Sequence, residues 1–491
     1  MPLLDDLLRH ARDRPHDPAA LDPTRSLDWT GLLEEVAAAA SGLAAQDVGP
    51  GDRVGLHLPN SVDFLVAALA TWWRGATFVP LDFSSPAARV ASLVEDCEPA
   101  VVVTAAEDPV AAGLVGLPVP TLAALRSSAG PWGPPVTADA PAYLIYTSGT
   151  TGAPKGVVIG HAALDAALSA LVEIVDVGPS SRATCVSPFH FDGSFGTLFA
   201  TLHAGGLVTI PTRGEVLFPR NFLRWIDAHA VDATGFTPIY LRLLAAGRAL
   251  PALGAGPLRM LAVGGEALSA ADVIGLLGAA PQLRVFNRYG PTETTIAVAH
   301  HRLYATDLAA GEPVPVGRPH PGSSFHILGD DLQPVPTGTP GELWIGGAQL
   351  MDGYWHAPEL TAAVLRSDVV AGATVYKTGD LARADADGLV TWLDRVDRVV
   401  KRRGVRISLA ELTETLSAIG TVRAAAAVAR GPAPDTEILA FVVAEPADLP
   451  GVRSALADRL PEAMLPDRLV ALQSLPLTSS GKLDERALLW R

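Results

Sequence analysis

Cysteine is almost absent. Cys97 and Cys185 are the two in 491 residues, and they form no CxxC pair. That argues against a disulfide framework or a zinc site, and makes a reducing cytoplasm the expected compartment. Long apolar runs are missing as well, and none reaches the length of a membrane span. The first residues, MPLLDDLLRHARDRP, set acids among the leucines. That is the pattern of an amphipathic helix and not of a signal peptide. Positive charge is short: 37 Lys+Arg face 52 Asp+Glu, a formal net charge of −15. Such a balance argues against general nucleic-acid binding. There is no internal repeat and no long low-complexity tract.

What is present is a chain long enough for two or more domains. It is 49% hydrophobic and 18% charged, which suits large buried cores. From Asp139 onward strand and helix patterns alternate. Strands are predicted at Ala142–Tyr146, Arg182–Ser187, Leu207–Ile210, Leu258–Val263 and Leu283–Asn287, and helices at His161–Val177 and Asp192–His203. This alternation predicts an α/β fold of parallel or mixed sheets with helices on their faces, and ligands bound in loops at the carboxyl ends of strands. From Gly341 the pattern turns to short strands and Gly turns; a basic run, Arg395 to Arg406, and a helix from Leu409 follow. A large part, residues 1–395, and a small α+β part, residues 396–491, are expected. Ser127–Thr137 (SSAGPWGPPVT) reads as a Pro/Gly-rich surface loop.

Tyr146 to Gly156 read YTSGTTGAPKG. A strand delivers the chain into Thr147, Ser148, Gly149, Thr150, Thr151 and Gly152, closed by Lys155. Glycines let backbone N–H groups approach phosphate oxygens, hydroxyls add donors, and the lysine adds charge. The string is not the GxxxxGK[ST] loop. It resembles the signature loop of the adenylate-forming superfamily: acyl-CoA ligases, luciferases and the adenylation domains of nonribosomal peptide synthesis. Further strings match in order: FVPLD at Phe78–Asp82, NRYGPTETT at Asn287–Thr295, GELWIGGAQLMDGY at Gly341–Tyr354, YKTGDLAR at Tyr376–Arg383, RVDRVVKRRGVRI at Arg395–Ile407 and LPLTSSGKL at Leu475–Leu483. The resemblance covers nearly the whole chain and implies a large N-terminal α/β part with a small mobile C-terminal lid.

The implied chemistry is attack of a substrate carboxylate on the α-phosphate of ATP, with Mg²⁺ as cofactor and pyrophosphate as leaving group. Two anions must meet, so positive charge and oriented donors are needed. Glu293 is the expected Mg²⁺ ligand, with a helix-cap carboxylate as its bland alternative. Thr150 or Thr151 is expected at phosphate or metal-bound water. Asn287, Tyr289, Gly290 and Thr292 form the adenine and metal motif, with Tyr289 near adenine. Asp380 is expected to accept from the ribose hydroxyls, and Arg395 to reach ribose or phosphate. Lys482 is expected to enter the site on the lid and neutralise developing charge, while lid closure excludes water. By resemblance Asp397 is the hinge, and Gly404 helps form a tunnel for a phosphopantetheine thiol. Lys401, in a basic cluster that could be simply a solvated face, is assigned to the nucleotide side. Lys377 stands where Arg is common and Ser408 where Glu is common.

The family's substrate pocket carries over to Asp192, Gly193, Gly196, Gly235, Ala262, Gly264, Arg288, Ile296 and Ala297, with Lys482. An aspartate at 192 pairs with a substrate ammonium in amino-acid-activating relatives; structurally it could be a helix N-cap. Most of these side chains are tiny, which predicts a deep pocket, and Arg288 can present a fork to a second carboxylate or turn away into a structural ion pair. An amino acid, acidic or β among the options, is the expected substrate. A separate carrier protein with a phosphopantetheine arm is the expected partner, because no carrier motif follows Lys482. The chain is expected to act as a monomer, with a dimer open, without nucleic acid or membrane. An acyl-CoA or aryl-CoA ligase and a degenerate ATP-binding scaffold are the competing readings. A buried acid at 192 counts against the first, and intact Lys482, Glu293 and Asp380 count against the second.

Overall fold

The structure is a computed structural model. It describes the chain apart from residues 1, 107, 111–112, 127–140, 148–153, 267, 310–311, 396–398, 403–404, 432–435, 477–484 and 490–491. The loop expected at Ser127–Thr137 lies outside the described residues.

Two large mixed sheets carry the first part of the chain. The eight-stranded sheet runs in the order Ala299–Leu303, Arg284–Tyr289, Met260–Gly264, Ala233–Phe236, Arg182–Cys185, Leu207–Thr209, Pro18–Leu21, Ser26–Asp28. Its interior strands are parallel and its two outermost pairings are antiparallel. The parallel strands are short and buried on both faces; Met260–Gly264 is buried at every position, as expected where helices cover both sides. A six-stranded sheet orders Gly353–Tyr354, Lys155–Gly160, Pro141–Thr147, Thr77–Pro80, Arg53–His57 and Val101–Thr104. An antiparallel sheet follows, in which Gly341–Gly347, Ala373–Ala384 and Val390–Arg395 are neighbours.

The helices Val62–Trp73, His161–Val175 and Gly193–His203 meet these sheets in one apolar core. Phe78 lies at its centre, edge-on to Phe64 and Phe195 with ring centroids 6.2 and 5.4 Å away. Such edge contacts add to area burial. Residues after 398 build a ribbon, Val399–Arg402 with Val405–Ser408, and a three-stranded sheet whose core of Ile407, Leu412, Leu416, Ile438 and Val442 is a cluster of its own.

Each expected strand and helix is present with ends within two residues of expectation, and two of the shifts have local reasons. The helix from His161 stops at Val175 because Asp176 takes a left-handed conformation, φ 58°, which caps the helix end. The strand from Arg182 stops at Cys185, and the Ser187 carbonyl turns to accept from Asn60 Nδ2 at 2.9 Å.

Candidate active site

Gly264 is the last residue of its strand, Arg288 lies one residue from the end of its own, and Asp192 follows the strand Arg182–Cys185. A small cavity lies between the eight-stranded sheet and the helices His161–Val175 and Gly193–His203, and its lining reaches Ala183, Ala233 and Met260. Gly196, Ala262 and Arg288 line it, together with His300.

Asp192 stands at the start of the Gly193–His203 helix. Its side chain makes no cap hydrogen bond, and its backbone is already helical at φ −61°, ψ −25°. The capping alternative therefore lacks its defining bond. Burial pushes the carboxyl up to about 6, against hydrogen bonds from the Thr292 side chain and the Ile296 backbone and the charge of Arg288. Its Oδ2 is buried and has no hydrogen-bond partner. An orphaned buried carboxylate oxygen is expensive and is satisfied by an arriving donor.

Arg288 faces the cavity and does not turn away. Its Nη1 donates to the Gly193 carbonyl at 3.1 Å. A Cβ at Gly193 would lie 3.3 Å from Arg288 Nη2, and one at Gly235 or Gly196 would lie 3.6 or 3.8 Å from Nη1. The guanidinium thus occupies the room these glycines leave, so small residues here do not by themselves make a deep hole. Gly264 has another reason to be glycine: a Cβ there would meet the Arg288 carbonyl oxygen at 2.2 Å, so it permits close approach of strands. Ile296 packs on Gly196, whose Cβ would sit 2.9 Å from Ile296 Cγ2, and Ala297 packs on Gly290, whose Cβ would sit 2.5 Å from Ala297 Cα.

The stretch after Gly290 carries Glu293, which is 2% exposed. Tyr354 Oη donates to Glu293 Oε1 at 2.9 Å, and Lys155 Nζ lies 5.2 Å from the Tyr354 ring centre. Lys155 pairs across a hairpin with Thr147, which places the two ends of the phosphate loop side by side. A carboxylate held next to the phosphate loop has the donor chemistry that Mg²⁺ prefers. Thr295 and Ile296 both take positive φ, 55° and 67°. Left-handed backbone is strained for β-branched residues, and such strain persists only where neighbours over-determine it. Gln349 is that neighbour. Its Nε2 donates to the Ala297 carbonyl at 2.7 Å, and its own carbonyl accepts from Thr295 Oγ1 at 2.7 Å. Sequence reading took Gln349 only as part of the matching string Gly341–Tyr354 and missed this clamp.

Around Asp380, Tyr289 Oη donates to Asp380 Oδ2 at 2.6 Å, and Arg395 Nη1 lies 3.2 Å from Asp380 Oδ1. Asp380 and Arg395 are register partners on adjacent strands. Asn287 Nδ2 donates to the Pro315 carbonyl at 2.8 Å and ties its strand to the next sheet. Lys377 lies 3.7 Å from Glu342 Oε2, away from these groups. Ser148, Gly149, Thr150, Thr151, Gly152, Asp397, Gly404 and Lys482 lie outside the described residues, as does the side chain of Lys401.

The family described as AMP-binding enzyme matches residues 7–355. The chain belongs to this family. A dimodular nonribosomal peptide synthase of Bacillus subtilis (strain 168) is 35% identical over 478 residues, 94% of this chain and 20% of that protein. A probable non-canonical nonribosomal peptide synthetase of Salinispora arenicola is 36% identical over 94% of this chain and 6% of its own length. The chain thus spans a fifth or less of these two relatives. Among solved structures, holo-PA1221, a protein with adenylation and PCP domains bound to a vinylsulfonamide inhibitor, superposes with a TM-score of 0.87 at 26% identity, covering 100% of this chain and 84% of that one. IdnL1 superposes with a TM-score of 0.81 at 29% identity, covering 96% and 98%.

This AMP-binding enzyme is an adenylating ligase of mixed α/β fold that uses ATP and Mg²⁺. Among its described residues, no helix is long and apolar enough to cross a membrane.

Proposed function

We propose that the enzyme activates an amino acid as its aminoacyl-adenylate and passes the aminoacyl group to the phosphopantetheine thiol of a separate carrier protein, in the cytoplasm. The observation that carries the amino-acid reading is the buried, partnerless Asp192 Oδ2. An ammonium supplies the missing donor and the matching charge. A fatty or aryl acid would leave that oxygen unpaired. The superposed holo-PA1221, which contains adenylation and PCP domains, supports the carrier half of the reading.

In the first half-reaction the substrate carboxylate attacks the α-phosphorus of ATP and pyrophosphate leaves. Asp192 binds the ammonium and so aims the carboxylate, Asp380 receives the ribose hydroxyls, and Arg395 holds Asp380 in place. Glu293 would hold Mg²⁺, which neutralises phosphate charge when bound. Lys482, on the lid formed by residues 396–491, bridges carboxylate and phosphate. In the second half-reaction the lid turns about Asp397 and the thiol attacks the mixed anhydride, releasing AMP. Arg288 faces the substrate side chain, which therefore offers it an acceptor. A carboxylate, as in an acidic α- or β-amino acid, is the simplest such group, and a neutral carbonyl also serves.

The test is ATP–pyrophosphate exchange over amino acids and their deaminated counterparts, followed by product analysis with carrier protein and with coenzyme A. Exchange confined to amino acids, with loading of the carrier, is expected. Equal use of deaminated acids removes the ammonium role of Asp192, and preference for coenzyme A removes the carrier.

A further inference from the structure

A second ionisable side chain lines the cavity, beside Thr197, Thr201 and Thr234, and it belongs to none of the sequence motifs. His300 stands directly opposite Arg288 where Ala299–Leu303 pairs with Arg284–Tyr289. Directly opposed residues of an antiparallel pair share a face of the sheet, and both line the cavity.

Groups behind His300 decide which of its nitrogens carries the proton. Gln349 is 1% exposed. Its Nε2 lies 2.7, 3.3 and 3.4 Å from the carbonyl oxygens of Ala297, Thr295 and Thr294. Carbonyl oxygens only accept, so this atom is the amide nitrogen and Oε1 is left as an acceptor. Oε1 is 3.0 Å from His320 Nδ1, which must then bear a proton. Burial holds His320 down at about 4, so it is neutral at pH 7 and its Nε2 is a bare acceptor. That atom is 3.1 Å from His300 Nδ1, which must therefore donate. Burial, with His320 and the Arg288 charge adding to it, holds His300 well below the usual imidazole range. Its one ring proton is engaged by His320, and its Nε2 is left as a lone pair on a ring that lines the cavity.

We propose that His300 is a specificity-determining residue whose Nε2 accepts a hydrogen bond from the substrate side chain while Arg288 donates to it, so that the preferred amino acid carries a carboxamide. This rests on the reading that Arg288 faces the substrate side chain. A carboxamide offers a carbonyl to Arg288 and an N–H to His300. A carboxylate answers Arg288 but sets lone pair against lone pair at Nε2. A neutral side chain does not strand the guanidinium, because the carboxylate of Asp192 opposes the effect of burial on Arg288.

The test pairs asparagine with aspartate and glutamine with glutamate in ATP–pyrophosphate exchange, with wild type, His300→Phe, Gln349→Leu and Arg288→Ala. Ring-nitrogen ¹⁵N NMR on the substrate-free enzyme accompanies it. A site built for a polar group discriminates strongly, and the amide should lead its acid by about 10-fold or more in the pair that fits. His300→Phe should erase that lead. So should Gln349→Leu, which keeps the imidazole but removes the acceptor that fixes its tautomer, along with the side-chain bond to the Ala297 carbonyl; in the wild type the spectra should show His300 and His320 both protonated on Nδ1. Protonation of His300 on Nε2, or persistence of the amide lead in both variants, overturns the proposal, and the spectra decide it even where a variant does not fold. If the acids lead both pairs and Arg288→Ala loses them, His300 has no such role while the Arg288 reading stands. If an apolar amino acid leads and Arg288→Ala changes nothing, the Arg288 reading falls, and this proposal with it.

Discussion

Arg89 Nη1 donates to Glu411 Oε1 at 3.0 Å, joining positions 322 residues apart. Both side chains are well covered, 15% and 2% exposed. Arg89 sits on the helix Ala87–Cys97 and Glu411 on Leu409–Ser417, so the pair ties the large part of the chain to the proposed lid. If the lid turns between half-reactions, the pair exists in one arrangement and not the other. A hydrogen bond to a charged group is worth about 1.5–3 kcal/mol. Arg89→Ala should therefore change the two half-reactions unequally, measured as pyrophosphate exchange and as single-turnover transfer to the carrier. Equal change in both would make the pair a structural tie only.

Asp192→Asn should cripple amino-acid activation, since truncating one partner of a buried charge pair costs about 2–5 kcal/mol. The same carboxylate sets a pH dependence. Its pKa is pushed up to about 6 by burial, so it loses its charge as pH falls through that value. The kcat/KM for the amino acid, which reports the free enzyme, should fall about tenfold per unit below pH 6 and be flat above it. The sign for stability is opposite. A raised carboxyl pKa favours the folded state at low pH, and that contribution is lost as pH rises through about 6. Asp192→Asn should accordingly raise the melting temperature of the substrate-free enzyme at pH 7.

Arg288→Ala should open the space now shared with Gly193, Gly196 and Gly235. Polar substrates should lose activity by up to ~10⁴ in kcat/KM, and larger neutral amino acids should gain. A substrate panel reads both changes. An unchanged ranking would mean that substrate side chains do not reach Arg288.

Lys482→Ala should lower adenylate formation by roughly 10²–10³, the usual cost of one charged transition-state contact. Transfer from preformed aminoacyl-adenylate should be much less affected. Near-normal pyrophosphate exchange in this variant would remove Lys482 from the first half-reaction.

The amino-acid sequence by itself determined the chemistry class and the layered α/β plan. The string proposed to hold phosphate runs without a break from Thr147 to Lys155, and Glu293 and Asp380 each sit in a short motif of their own. Ligation of phosphate by backbone, hydroxyl and lysine is local, so its residues must be neighbours along the chain. Sheet alternation is equally local, since a period of two and a period of 3.6 are written into consecutive residues. Tertiary structure alone decided what the pocket offers a substrate. Arg288 fills the room beside glycines that come from the helix Gly193–His203 and the strand Ala233–Phe236. His300 acquires its acceptor from His320, 20 positions on, and His320 from Gln349, 29 positions further. A histidine's proton is placed by what its other nitrogen touches, and these contacts exist only once strands from separate stretches have paired and excluded water.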